Sequence, residues 1–218
     1  MSFYYYDNNR GGCLNALPVV TRNLIIINIV MFAATLLGER ILNTTVMSWF
    51  ALYYPDSMMF RPWQLLTYMF MHGGMFHIFF NMYTLMIFGG VVERTLGSRK
   101  FLTFYLLCGL AAAGFHLLVM SLTRGWSVPM VGASGAIYGV LIAYAMLFPE
   151  SRMTLLFPPV TLSAKWMVAI FAGIELLTGV SGSVEGVAHF AHLGGLLGGW
   201  LLIFIWRKTG RLFNQQWF

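Results

Sequence analysis

Charge is scarce in this chain. Asp, Glu, Lys and Arg together make up 9% of its 218 residues, against roughly 25% in an ordinary soluble domain. So few charges cannot cover a water-facing surface, which excludes a soluble globular protein. Cysteine is rarer still: Cys13 precedes the apolar segments and Cys108 lies inside one, which excludes a disulfide framework. The chain has no low-complexity segment and no convincing internal repeat. Its start, MSFYYYDNNRGG, lacks the basic-then-apolar layout of a cleaved signal peptide, so the first span is expected to be retained.

Hydrophobic residues fill what charge leaves empty, at 59% of the chain and a mean hydropathy of +0.74. Residues 62–92, 101–123, 125–149 and 186–206 are free of charge, and each run is long enough for the ~20 residues that a membrane helix needs. Spans are expected near residues 21–38, 75–93, 100–122, 134–148, 164–180 and 187–206. Arg10, Arg22, Arg94, Arg99, Lys100, Arg152, Lys165, Arg207, Lys208 and Arg211 then fall on one side, and only Arg40, Arg61 and Arg124 on the other. The positive-inside rule makes the richer side cytoplasmic. The formal net charge of +6 is thus a topology signal, and no nucleic-acid partner is expected.

The expected fold is all-α: a polytopic membrane protein built as a six-transmembrane-helix bundle with both termini cytoplasmic. A short cytoplasmic segment occupies 1–20, the six-helix domain 21–207 and a short cytoplasmic tail 208–218. The long first loop, 39–74, contains MSWFALYYPDSMMFRPWQ, a composition suited to the headgroup region. It reads either as an interfacial anchor or as a surface that steers substrates laterally.

Polar residues inside a membrane are costly and face a cavity or a partner, so their depths are informative. The fourth span stops before Pro149, which cannot continue a helix. At 1.5 Å per residue against a ~30 Å hydrocarbon core, Ser134 lies about 8 Å below the outer surface. Counted the same way, His192 lies about 8 Å, Asn81 about 12 Å and His77 about 6 Å below it. Four polar side chains from three spans therefore share one band. His77 and Asn81, like Ser134 and Tyr138, stand at i and i+4 and share a helix face. Gly135/Gly139, Gly194/Gly198 and Gly195/Gly199 form small-xxx-small pairs that let helices approach closely.

Each feature also has a plainer explanation: a serine that caps a helix, glycines that only pack, a histidine that reaches toward headgroups. None of these predicts a shared depth. A serine nucleophile needs a histidine base and donors where negative charge develops. Ser134 at a helix N-terminus offers free backbone N–H groups and the positive dipole end, with His77 and Asn81 beside them. Gly132, Gly135 and Ala133 leave room for a substrate backbone. No aspartate lies in a span, and Glu175, the one acid well inside a span, is expected to face water near the outer end or to pair locally rather than to orient His192. The site therefore reads as a Ser134–His192 dyad, with Tyr138 holding the imidazole by stacking.

H-x-x-x-N at His77–Asn81, G-A-S-G at Gly132–Gly135 and A-H-L-G-G at Ala191–Gly195 resemble the signature motifs of the rhomboid intramembrane serine proteases. HGGMFHIFFNM at 72–82 and VVERTLGSRK at 91–100 extend the likeness over nearly all six spans. The resemblance implies a serine-type endopeptidase that cuts transmembrane segments of other proteins near the outer face. It implies Ser134 as nucleophile, His192 as general base, an oxyanion hole of His77, Asn81 and the Ser134 amide, Tyr138 packed on His192, and His72 bracing the first loop. Glu93 and Arg94 resemble the family's charged pair at the cytoplasmic end of the second span. The sixth span departs from the pattern with His189 one turn before His192, and the first loop with Arg61-Pro62-Trp63-Gln64 where many relatives have Trp-Arg.

The implied partners are transmembrane substrates and membrane lipid, with no cofactor and no metal; the short termini fit a bacterial inner-membrane setting. Two alternatives stand beside this reading. One is a zinc transporter or metalloprotease using His72, His77, His189 and His192, although no H-E-x-x-H occurs and no carboxylate is expected beside these histidines. The other is a non-catalytic binder of membrane helices.

Overall fold

The structure, a computed structural model, describes residues 16–41, 45–123, 129–155, 159–180 and 186–212. Asp7, Arg10, Cys13, Arg124 and the tail beyond residue 212 lie outside the described residues. Helices occupy all six expected segments: α1 (Val19–Ile41), α2 (Met75–Leu96), α3 (Ser98–Thr123), α4 (Ser134–Leu147), α5 (Ala164–Val180) and α6 (Gly186–Lys208). By length and composition α1, α2, α3 and α6 can cross a membrane, whereas α4 and α5 are shorter. Large apolar side chains face outward, among them Ile29 and Val30 on α1, Phe76 and Phe80 on α2, and Ile174 and Leu177 on α5. An apolar exterior on this scale belongs in lipid, not in water. The protein is an integral membrane protein.

α1, α2 and α6 run a few residues beyond the expected spans. α2 is also not uniform: a π-turn interrupts it over Leu85–Gly89, and the extra residue per turn shifts the face presented on either side. A small antiparallel hairpin, β1 (Arg152–Leu155) with β2 (Val160–Ser163), joins α4 to α5.

α4 is the hub. None of its residues is exposed, and glycines let α6 settle against it and against α3. A Cβ on Gly195 would stand 1.9 Å from the Gly135 carbonyl oxygen, and one on Gly199 would stand 2.8 Å from Gly139 Cα. The alternate pair faces α3, where a Cβ on Gly194 would meet Phe115 Cβ at 2.4 Å and one on Gly198 would meet Ala111 Cβ at 2.5 Å. The two staggered glycine pairs on α6 thus serve two different neighbours. Cys108, a buried free thiol, sits in this seam on α3, against Gly139.

The first loop is folded and tied down. Gln64, fully buried, accepts hydrogen bonds from the Arg61 and Tyr53 amides and donates to the carbonyls of Met59, Ser48 and Trp49. Thr67 donates to Phe50 O, and the buried Tyr68 hydroxyl reaches Gly109 O on α3 at 2.7 Å. Arg61 donates to Met58 O and Phe60 O within the loop. At the other end of the molecule, buried Glu93 accepts from Val20 N, Thr21 N, Thr21 Oγ1 and Ser98 Oγ at 2.7–3.0 Å. It thereby caps α1, a helix to which it does not belong. Arg94 beside it donates to Ala16 O.

Candidate active site

Four elements converge on Ser134. The chain enters α4 through an extended segment in which Met130 pairs with Leu52 of the first loop and the Gly132 amide donates to Tyr68 O at 3.0 Å. Gly132 takes φ +117°, a conformation that L side chains rarely adopt, and a Cβ there would lie 2.7 Å from the His77 ring. Glycine is needed at this turn both for its backbone angle and to let the imidazole approach.

The N-cap position of α4 is Ala133, and no side chain caps the helix. Ser134 is its first residue, and its hydroxyl is committed elsewhere: Oγ lies 2.7 Å from His192 Nε2. The contact is possible because Gly135 and Gly195 bring α4 and α6 almost to backbone contact at that level. The Tyr138 ring stacks on the His192 imidazole, centroids 4.6 Å apart and planes 7° from parallel.

From α2, His77 and Asn81 line the same cavity as Ser134, Tyr138 and His192. The cavity holds about 440 Å³, and the rest of its lining is mostly apolar, including Phe76, Phe80 and Phe171. The Gly73 amide makes a long, 3.5 Å hydrogen bond to His77 Nδ1, so the neutral ring carries its proton on Nε2, the nitrogen near Gly132. Asn81 Nδ2 is buried without a hydrogen-bond partner among the described residues. Two side-chain donors and the amides of the first turn of α4 thus stand beside the hydroxyl. His72 packs edge-on against His77, ring centroids 5.0 Å apart. Burial, helped by the neighbouring His77, pushes the His72 imidazole down to about 4, against a weaker opposing pull from the Phe70 backbone. His72 is therefore held neutral, buried between the loop and α2.

One expectation needs correction. Glu175 does not turn out to water. It is buried on α5, its Oε2 is 2.5 Å from His189 Nδ1 and 3.0 Å from His192 Nδ1, and its Oε1 accepts the Tyr138 hydroxyl. The His192 contact is of ionic length but off the N–H direction, so Nδ1 has no strict hydrogen bond. The expectation that no carboxylate stands beside the histidines falls with it, since donor atoms of Glu175, His189 and His192 lie within 4.8 Å of one another. An apolar helix leaves a carboxylate few places to go, and it turns toward the histidines of α6. The available signal was the pairing of the one acid well inside a span with His189, one turn before His192. The burial of Gln64 and the remote capping by Glu93 had no comparable signal.

A family model described as the Rhomboid domain matches residues 60–209. The chain is 32% identical over 151 residues to the mitochondrial presenilin-associated rhomboid-like protein of Bos taurus, covering 64% of this chain and 38% of that protein. It is 31% identical over 147 residues to the mitochondrial RHOMBOID-like protein 6 of Arabidopsis thaliana, covering 66% and 44%. It is 28% identical over 201 residues to the rhomboid protease GlpG of Klebsiella pneumoniae, covering 90% and 66%. The matches thus span less than half the length of the mitochondrial relatives.

Proposed function

This chain belongs to the rhomboid family, and on that footing we propose that it is an intramembrane serine endopeptidase that hydrolyses peptide bonds in or near the transmembrane segments of other membrane proteins. The observation that carries the reading is the 2.7 Å contact between Ser134 Oγ and His192 Nε2 at the wall of a cavity. A hydroxyl that merely capped its helix would turn to backbone amides instead.

In the proposed reaction His192 Nε2 takes the Ser134 proton as Oγ bonds to the scissile carbonyl carbon and the carbonyl π pair moves onto oxygen. The Ser134 amide, His77 Nε2–H and Asn81 Nδ2–H donate to that oxyanion. His192 then passes its proton to the leaving nitrogen as the C–N bond breaks. Water, deprotonated by the same imidazole, hydrolyses the acyl-enzyme and regenerates Ser134. Tyr138 keeps the ring upright by stacking, and the apolar walls suit an extended stretch of an apolar substrate segment.

The charge asymmetry supports six spans with both termini in the cytoplasm. A bacterial inner membrane, with the site opening on the extracytoplasmic face, is the setting proposed.

The test reconstitutes the full chain in lipid vesicles with a transmembrane model substrate. Ser134→Ala and His192→Ala should each abolish cleavage and labelling by a fluorophosphonate while leaving the melting midpoint in place. Cleavage that survives either change would refute the serine mechanism and favour a histidine-based metalloprotease, and an unsubstituted chain that neither cleaves nor labels would favour a non-catalytic binder of membrane helices.

A further inference from the structure

Building on the assignment of Ser134 and His192 as nucleophile and base, we propose that Glu175 is a positioning residue for His192, so that the site works as a Ser134–His192–Glu175 triad. The argument starts from the proton. A serine hydroxyl that donates to Nε2 requires the neutral ring to carry its hydrogen on Nδ1. That Nδ1 is buried, and Glu175 Oε2, 3.0 Å away, is an acceptor of opposite charge within ionic reach.

The carboxylate is itself held from two further sides. Tyr138 donates its hydroxyl to Oε1 while its ring stacks on His192, and His189 Nδ1 shares Oε2 at 2.5 Å. α4, α5 and α6 thus each contribute a group to one connected cluster around the imidazole. The titratable groups facing His192 are Glu175 from α5, His189 from its own helix, Ser134 and Tyr138 from α4, and His77 from α2.

When the Ser134 proton reaches Nε2, the imidazolium that forms faces this carboxylate at 3.0 Å. A charge so placed both fixes the Nδ1–H tautomer and stabilises the developing cation. The present alignment is imperfect because His189 competes for the same oxygen. A small rotation of the carboxylate would convert the ionic contact into a straight hydrogen bond, in keeping with the tightening of such bonds once substrate is bound.

Glu175→Gln keeps the shape and removes the charge. In vesicles, with rates normalised to active sites titrated by fluorophosphonate, kcat should fall about 10- to 100-fold with KM little changed. The rate of Ser134 labelling should fall by the same factor, and Glu175→Asp should recover part of it. His189→Ala, which releases Oε2 to His192, should keep most of the activity. A Glu175→Gln enzyme whose titrated sites turn over at the unsubstituted rate would overturn the inference even if it melted lower, since the role would then be structural. Loss of activity on chelation, with recovery on adding zinc, would also overturn it by assigning the Glu175–His189–His192 cluster to a metal. In either case the dead Ser134→Ala and His192→Ala controls would leave the serine-protease reading standing, whereas active controls would sink that reading first.

Discussion

α4 and α5 both lend a side chain to the site, yet they are packed in opposite ways. No residue of α4 is exposed, and its glycines meet α6 at distances that admit no Cβ. α5 is half bare: Trp166, Ile170, Ile174 and Leu177 point outward, and Gly173 has nothing within 4 Å of where a side chain would begin. α2 resembles α5, with Phe76, Phe79 and Phe80 exposed. Ser134 and His192, the proposed nucleophile and base, therefore stand on a seam closed by backbone contact, while the His77, Asn81 and Glu175 side chains come from helices with exposed faces. Interiors packed to crystal-like density transmit a displacement rather than absorb it. The difference teaches that the Ser134–His192 distance is fixed by backbone contact, whereas the groups around it are set by side chains on looser helices.

Substituting glycines in the two places should break the molecule unequally. Gly195→Ala puts a methyl group 1.9 Å from the Gly135 oxygen, so α6 must back away and the Ser134–His192 contact opens. Overpacking of this kind costs typically about 1–3 kcal/mol, and essentially all fluorophosphonate labelling should disappear along with a drop in melting midpoint. Gly173→Ala should change neither. Equal effects at the two glycines would erase the contrast.

A smaller effect is expected from the edge of the site. Asn81→Ala removes one donor and should reduce turnover by about 10²–10³-fold while labelling of Ser134 persists. A variant as inert as Ser134→Ala would place Asn81 on the same footing as the seam residues. The smallest effect concerns pH. The folded pKa of His72 lies near 4, below its ordinary 6.5, so between those values the unfolded chain takes up a proton that the fold refuses. Stability should fall as pH drops from 6.5 toward 4 and level off below. The melting midpoint read across that window should decline, and His72→Leu should flatten the decline.

The sequence made the α4 end of this comparison legible and left the α5 end dark. Ser134, Gly132, Gly135, His192 and the glycine pairs could be placed because a helix has a fixed rise and period, so depth and shared face follow from counting. The boundary at Pro149 followed from its missing amide. Glu175 could be given a depth but not a direction, because which way a helix turns about its axis is decided by the neighbours it packs against. The π-turn at Leu85–Gly89 escaped for a related reason, since an apolar run carries no local mark of one added residue. Gln64 read as an ordinary polar residue of a surface loop, and only the converging amides and carbonyls of the folded loop make it a buried clamp.

The Glu93 cap has a mechanical consequence. Its buried carboxylate is satisfied by two α1 amides, one α1 hydroxyl and Ser98, so prising the foot of α1 loose would strip it of three of those four donors. The first helix is thereby pinned at that foot, and the apolar cleft of about 470 Å³ between α1 and α2 can widen only as a book opens from a stitched spine, from the edge nearest Met75.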